Sequence, residues 1–181
     1  GTQDNISLSF YADGSIAPTY KYASAAATAF SSTASELSKL VLALSKEENS
    51  LIEANTLEAM LEPHGFLFGS GIWGLGTMLY AKSNSGNYIF GHDGANDPAI
   101  NSSVRINPET SDGIIILVSG NPILATNIGS EWVLWQTGHP DFLSTEDVIK
   151  SALYPTLIGV VLIFLLTMIR AKANHFLSKS T

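Results

Sequence analysis

The stretch TMLYAKSNSGNYIFGHDGANDPAINSSVRINPETSDGIIILVS, Thr77 to Ser119, decides the fold. Short runs rich in β-branched and aromatic residues alternate there with polar breaks containing Gly or Pro, the pattern of strands joined by tight turns. Thr77–Ala81 reads as a strand, Ser83–Asn87 as a hairpin turn and Tyr88–Phe90 as the start of the return strand. Asn101–Ile106 is the next strand, broken by Asn107-Pro108-Glu109-Thr110. Gly113–Ser119 is apolar at consecutive positions, as expected of a central strand covered on both faces. Connections this short allow only antiparallel pairing, so the four strands form a meander.

Helical patterns lie on either side. Thr33-Ala-Ser-Glu36 is a capping box, and Leu37, Leu40, Val41 and Leu44 behind it fall on one helical stripe. Asn55-Thr-Leu-Glu58 repeats the capping pattern before Leu57, Met60 and Leu61, and Pro63 stops that helix. Pro122 opens a last soluble helix running to about Gly138, in which Ile123, Ile128, Trp132 and Trp135 offer an apolar face to the sheet. Trp73, Trp132 and Trp135 read as core residues. Near the start, Ile6–Phe10 alternates like a strand, Ala12–Gly14 is a turn, and a loop rich in Pro, Tyr, Ala and Ser runs to residue 30. Helices, then a meander, then a helix make an α+β arrangement, an antiparallel sheet flanked by helices.

Ser151 to Ile169 is a run of nineteen residues without a charge. As a helix it covers roughly 28 Å, close to the hydrocarbon thickness of a bilayer. Arg170, Lys172 and Lys179 follow it, whereas Asp141, Glu146 and Asp147 precede it with only Lys150 opposing. That asymmetry predicts a single-pass membrane protein with residues 170–181 as a basic cytoplasmic tail and the main domain outside. A lipid-anchor signal would end in its hydrophobic stretch instead. The expected organisation is a domain over 1–138, a polar linker over 139–150, a transmembrane helix over 151–169 and the tail.

Residues 1–169 carry six Lys and Arg against sixteen Asp and Glu, a balance of −10. Binding to nucleic acid, which needs cations facing phosphates, is therefore not expected. Cysteine is absent, which removes disulfides and thiolate chemistry. His64, His92 and His139 lie too far apart for a His-x-x-x-His metal pattern. Gly69-Ser-Gly-Ile-Trp-Gly74 fits a dinucleotide fingerprint by letter, but no helical pattern follows it, so no cofactor is expected. Asn101-Ser-Ser103 is a glycosylation acceptor by letter, relevant only in a eukaryotic secretory path. The chain opens on Gly1 with no basic-then-apolar leader, as expected of the C-terminal part of a longer protein.

Three blocks, in order, resemble the C-terminal half of the β-lactamase-related serine hydrolases, which include class C β-lactamases, penicillin-binding DD-peptidases and esterases. They are Ala27-Thr-Ala-Phe-Ser-Ser-Thr-Ala-Ser-Glu-Leu-Ser-Lys-Leu-Val41, Trp73-Gly-Leu-Gly76, and Phe90-Gly-His-Asp-Gly-Ala-Asn96 with Ile106-Asn-Pro-Glu-Thr-Ser-Asp-Gly-Ile-Ile-Ile-Leu-Val-Ser-Gly-Asn121. The resemblance implies a partial β-lactamase/transpeptidase-like domain and a substrate, small molecule or peptide, with an amide or ester bond.

It also implies roles. His92-Asp93-Gly94 takes the place of the family's Lys/His-Ser/Thr-Gly element: His92 would line the catalytic centre, and the Ala95 amide would be an oxyanion donor. Asp93, Gly94 and Asn96 would contact substrate. Asp93 departs from the commoner Ser/Thr, and a carboxylate facing the substrate would disfavour substrates carrying their own. The family nucleophile is the serine of Ser-x-x-Lys, assisted by Tyr-x-Asn or Ser-x-Asn; the first two motifs do not occur here, and Ser85-Gly-Asn87 and Ser119-Gly-Asn121 fit the third by letter but follow the helix entry that it precedes in the family. The 181 residues alone are therefore not expected to hydrolyse anything by this route. The competing expectation is an inactive, membrane-tethered binding or regulatory module with the same fold. Nothing in the sequence bears on oligomeric state.

Overall fold

The computed structural model describes residues 6–18, 24, 30–45, 51–96 and 99–179. Ala27–Ala29 of the first block, most of the loop before residue 30 and the last two tail residues lie outside the described residues. The chain divides into two compact units, Gly1–Phe142 and Leu143–Thr181.

The first unit is built on a six-stranded antiparallel meander in sequence order: β3 (Gly65–Leu67), β4 (Ser70–Trp73), β5 (Met78–Lys82), β6 (Tyr88–Asn96), β7 (Ile100–Asn107) and β8 (Asp112–Ser119). A separate two-stranded hairpin, β1 (Ser9–Phe10) with β2 (Ile16–Ala17), closes over the turn at Ala12–Gly14. Its Phe10 amide donates to Ser119 Oγ at the end of β8 (2.9 Å). The glycine-rich run before Thr77 thus supplies two strands beyond the four expected. Gly113–Ser119, expected at the centre, lies in the edge strand β8. It is apolar on both faces because helices cover both, α1 (Ala34–Leu44) on one side and α3 (Leu124–Thr137) on the other. Cover of the faces and position in the sheet are separate properties, and an unbroken apolar run reports only the first.

On the α1 side, Val41, Leu79, Phe90 and Ile106 form the buried core, flanked by Leu44, Leu57, Leu61, Tyr88, Val104 and Ile115. Thr33 caps α1 as expected, its Oγ1 accepting from the Glu36 amide (3.1 Å), while the Glu36 carboxylate pairs with Lys39 (2.9 Å). The second capping box does not form. α2 (Ala54–Leu61) starts one residue before Asn55, after Glu53, with no side-chain cap bond.

The α3 side differs in chemistry. Asn101, Ser103, Arg105 and Asn107, alternate residues of β7, are all buried there. α3 meets them with Ala125, Gly129, Ser130, Val133 and Thr137, not with the apolar set expected from sequence. Ile123 and Ile128 are exposed, Trp135 is 77% exposed, and Trp132 is half-buried. The reason is steric. A Cβ on Gly129 would stand 2.6 Å from Arg105 Nε and 2.6 Å from Ser103 Oγ, so only a small-residue stripe brings the helix close enough to seal the polar row. Asn121 Oδ1 accepts from the amides of Ile123 and Leu124 to start α3 (3.0 Å each), and Gly138 at φ +74° ends it.

The second unit is the helix α4 (Phe142–Lys179), which begins at the last residue of the first unit. The stretch expected as a linker is therefore helical from Phe142. Over Phe142–Lys172 the helix is long and apolar enough to cross a membrane, and no residue of its most apolar window is buried.

Replacing Gly129 with Val should lower stability by about 1–3 kcal/mol, the usual cost of overpacking, because Arg105 must move. Urea unfolding of the detergent-solubilised chain measures it, and an unchanged midpoint would contradict the packing described.

Candidate functional site

β6 is the strand on which the sequence-derived residues fall. It pairs with β7 from Phe90↔Ile106 to Asn96↔Ile100. Its pairing with β5 ends at Met78↔Gly91, where β5 begins. From Asp93 onward the β5-facing side of β6 has no strand partner among the described residues. The Asp93 amide points that way, toward Met78 Sδ (3.4 Å). Backbone groups alternate along a strand, so the Ala95 amide projects to the same open side. Gly91, at φ +154°, precedes this segment, and a Cβ there would collide with the Val104 carbonyl.

Side chains alternate as well. His92 pairs across β7 with Val104, which packs on the α1-side core, and its imidazole is exposed. Nδ1 lies 2.6 Å from the Asp93 carbonyl oxygen. A carbonyl only accepts, so Nδ1 carries the proton, which leaves Nε2 as the acceptor when the ring is neutral. The Trp73 ring stands edge-on to it at 5.6 Å.

Asp93 faces the other way. It pairs with Ser103, and its carboxylate, 7% exposed, enters the polar row under α3. Oδ1 accepts from Tyr80 (2.9 Å) and Ser103 (2.5 Å), and Oδ2 accepts from Arg105 (2.7 Å). Arg105 also donates to Asp141 (2.5 Å), Ser103 (3.0 Å) and the Thr126 carbonyl (3.3 Å), and its guanidinium lies 3.9 Å from the Tyr80 ring centroid. Ser130 Oγ donates to Asp141 as well (2.7 Å). Phe142 stacks on Tyr80 with ring centroids 6.1 Å apart. Burial works against the Arg105 charge, but hydrogen bonding to Asp93 and the neighbouring charges outweigh it and hold the group above its usual range. Burial, with the Asp93 charge second, pushes the Tyr80 hydroxyl far above the ordinary phenol range.

The structure brings His92, Gly94, Ala95 and Asn96 together at the open end of β6. It turns Asp93 away from them and commits its carboxylate to Arg105. Asn101 is buried too, accepting from the Thr126 amide (2.9 Å) and donating to the Gly94 carbonyl (2.9 Å). Sequence reasoning passed over Arg105, Tyr80 and Asp141. The only signal for Arg105 was one charge inside an otherwise uncharged strand. Asp141 lay in the stretch assigned to a linker. No family model, curated protein or solved structure matches this chain.

Arg105→Met should leave two buried carboxylates uncompensated and cost about 3–5 kcal/mol. Arg105→Lys should recover only part of that, since an ammonium lacks the planar fork. Chemical unfolding checks both, and a neutral Arg105→Met would contradict the ion-pair account. The raised Tyr80 pKa has a separate consequence. Folded and unfolded states both keep the phenol proton below about pH 10, but above it only the unfolded state releases it. Stability should therefore fall as pH rises past about 10, and more steeply than in Tyr80→Phe. Unfolding curves from pH 8 to 11 measure the difference, and equal slopes would contradict it.

Proposed function

We propose that the first unit is part of a β-lactamase-related serine hydrolase held at a membrane by α4, acting on amide or ester bonds through an acyl-enzyme. The observation that carries this reading is the open end of β6, where the Ala95 amide projects from an unpaired strand side next to an exposed, oriented His92. A substrate carbonyl laid against that edge would find a backbone donor for the oxygen that becomes negative, an interaction worth roughly 10²–10³ in rate. Nε2 of His92 is free to accept a hydrogen bond from a hydroxyl at the same edge. Gly94, with no side chain, lets substrate approach the backbone closely.

In this mechanism a serine Oγ, its proton taken by a neighbouring base, adds to the carbonyl carbon and the oxygen becomes an oxyanion. Collapse breaks the bond to the leaving alcohol or amine, which receives the proton. Water then adds to the acyl-enzyme and releases the acid with the serine restored. The serine must come from outside the 181 residues, because no lysine here follows a serine by three positions. The absence of that motif also favours the second reading, a tethered binding module that keeps the fold. For the membrane, the basic residues after Ile169 and the acidic ones before Ser151 support a cytoplasmic tail and an extracytoplasmic domain.

Source membranes treated with a fluorescent fluorophosphonate, which phosphonylates activated serines, should yield a labelled protein captured by antibody to the first unit. The 181-residue chain expressed alone should not label. Native protein that binds the antibody but never labels would sink the hydrolase and leave the binding module.

A further inference from the structure

We infer that the outer face of α3 rests on the lipid surface of the bilayer that α4 crosses, as an interfacial helix seated at the level of the headgroups. The inference rests on α4 spanning a membrane and is independent of the hydrolase reading. A helix on the surface of a soluble domain ordinarily buries its large apolar residues and turns its charges outward. α3 does the reverse. Its inner side is the small set Ala125, Gly129, Ser130, Val133 and Thr137. Leu124, Ile128 and Trp135, at i, i+4 and i+11, fall on one outer ridge and are all exposed, with the half-buried Trp132 beside them. Because a Cβ at Gly129 already collides with Arg105, α3 cannot roll to bury this ridge against the sheet.

In a chain of formal charge −7, α3 carries one charged residue, Glu131, which with Asn127 lines one flank of the ridge. An apolar ridge containing tryptophan beside a polar flank suits a membrane interface, where an indole keeps its ring in apolar surroundings and its N–H near water. Glu131 holds the seat shallow, since a carboxylate loses more by leaving water than the ridge gains.

Two observations favour lipid over a protein partner. α4 starts at Phe142, five residues after α3 ends at Thr137, and reaches its uncharged run at Ser151 after about 14 Å of helix. A contact tethered this closely forms at high effective concentration, so a small ridge suffices. A stable protein interface takes roughly 20–30 residues a side, far more than this ridge supplies.

The test introduces two photoactivatable phosphatidylcholines into the source membranes, one with its diazirine at the headgroup and one at the acyl terminus. After irradiation, peptide mass spectrometry maps the lipid adducts on the native protein. The α3 peptide should take the headgroup probe at Leu124, Ile128 or Trp135, and α4 should take the acyl-terminal probe around Gly159. Ile128→Glu with Trp135→Glu, both at exposed positions, should abolish the α3 adducts while those on α4 and the urea midpoint stay unchanged. Trp135→Glu alone should lower them. Adducts on α4 with none on α3 would overturn the inference and leave the span standing, the ridge then being covered by a second copy or another protein. Adducts on α3 that persist undiminished in the double variant would overturn it too. No adducts on α4 would overturn the span and the inference together.

Discussion

A single buried guanidinium sets the architecture of one whole side of the sheet. Arg105 has no exposed surface, so its charge must be met by partners brought from elsewhere in the chain. Asp93 comes from the neighbouring strand, Asp141 from beyond α3, and Tyr80 from β5 lends its ring face. α3 must then pass close overhead, and the alternation of small residues along it follows from that need more than from any hydrophobic drive. The layer has the polarity of a surface and the dryness of a core. Its hydroxyls and amides are oriented by one another, which favours a single arrangement over many similar ones.

Such an arrangement is hard to read in advance. The period-two pattern of β7 is plain, but polar residues at alternate positions ordinarily mean solvent, and here they mean a helix. The expectation for α3 failed for the same reason. The pattern places large apolar residues inward, although a large side chain at Gly129 has no room above Arg105. Trp135 shows the converse, an aromatic that sequence reasoning places in the core and the fold leaves in the open. Local physics is more legible: the Thr33 cap, the turn at Ser83–Asn87 and the stop at Pro63 each depend on residues within a few positions of one another, although the equally local box at Asn55–Glu58 does not form.

The β6 segment lies between these cases. The order of His92-Asp93-Gly94-Ala95 is plain in the sequence, but order does not give orientation. The start of β5 at Met78, after the turn that follows Trp73, leaves the Ala95 amide on an open edge. The alternation of the strand separates His92 from Asp93. Adjacent residues in a strand face opposite worlds, and a motif read as one functional unit is here divided between an open edge and a buried ion pair.

The burial of Asn101 has a consequence for making the protein. Its Asn-Ser-Ser triplet is accessible to a glycosylating enzyme only while the chain is unfolded. In a eukaryotic secretory host, sugar transfer and closure of α3 over β7 would therefore race. A glycan that won would occupy the place of Thr126 and trap the chain short of its native form. Bacterial expression, or an altered Ser103 that keeps a donor to Asp93 without completing the acceptor triplet, avoids the race.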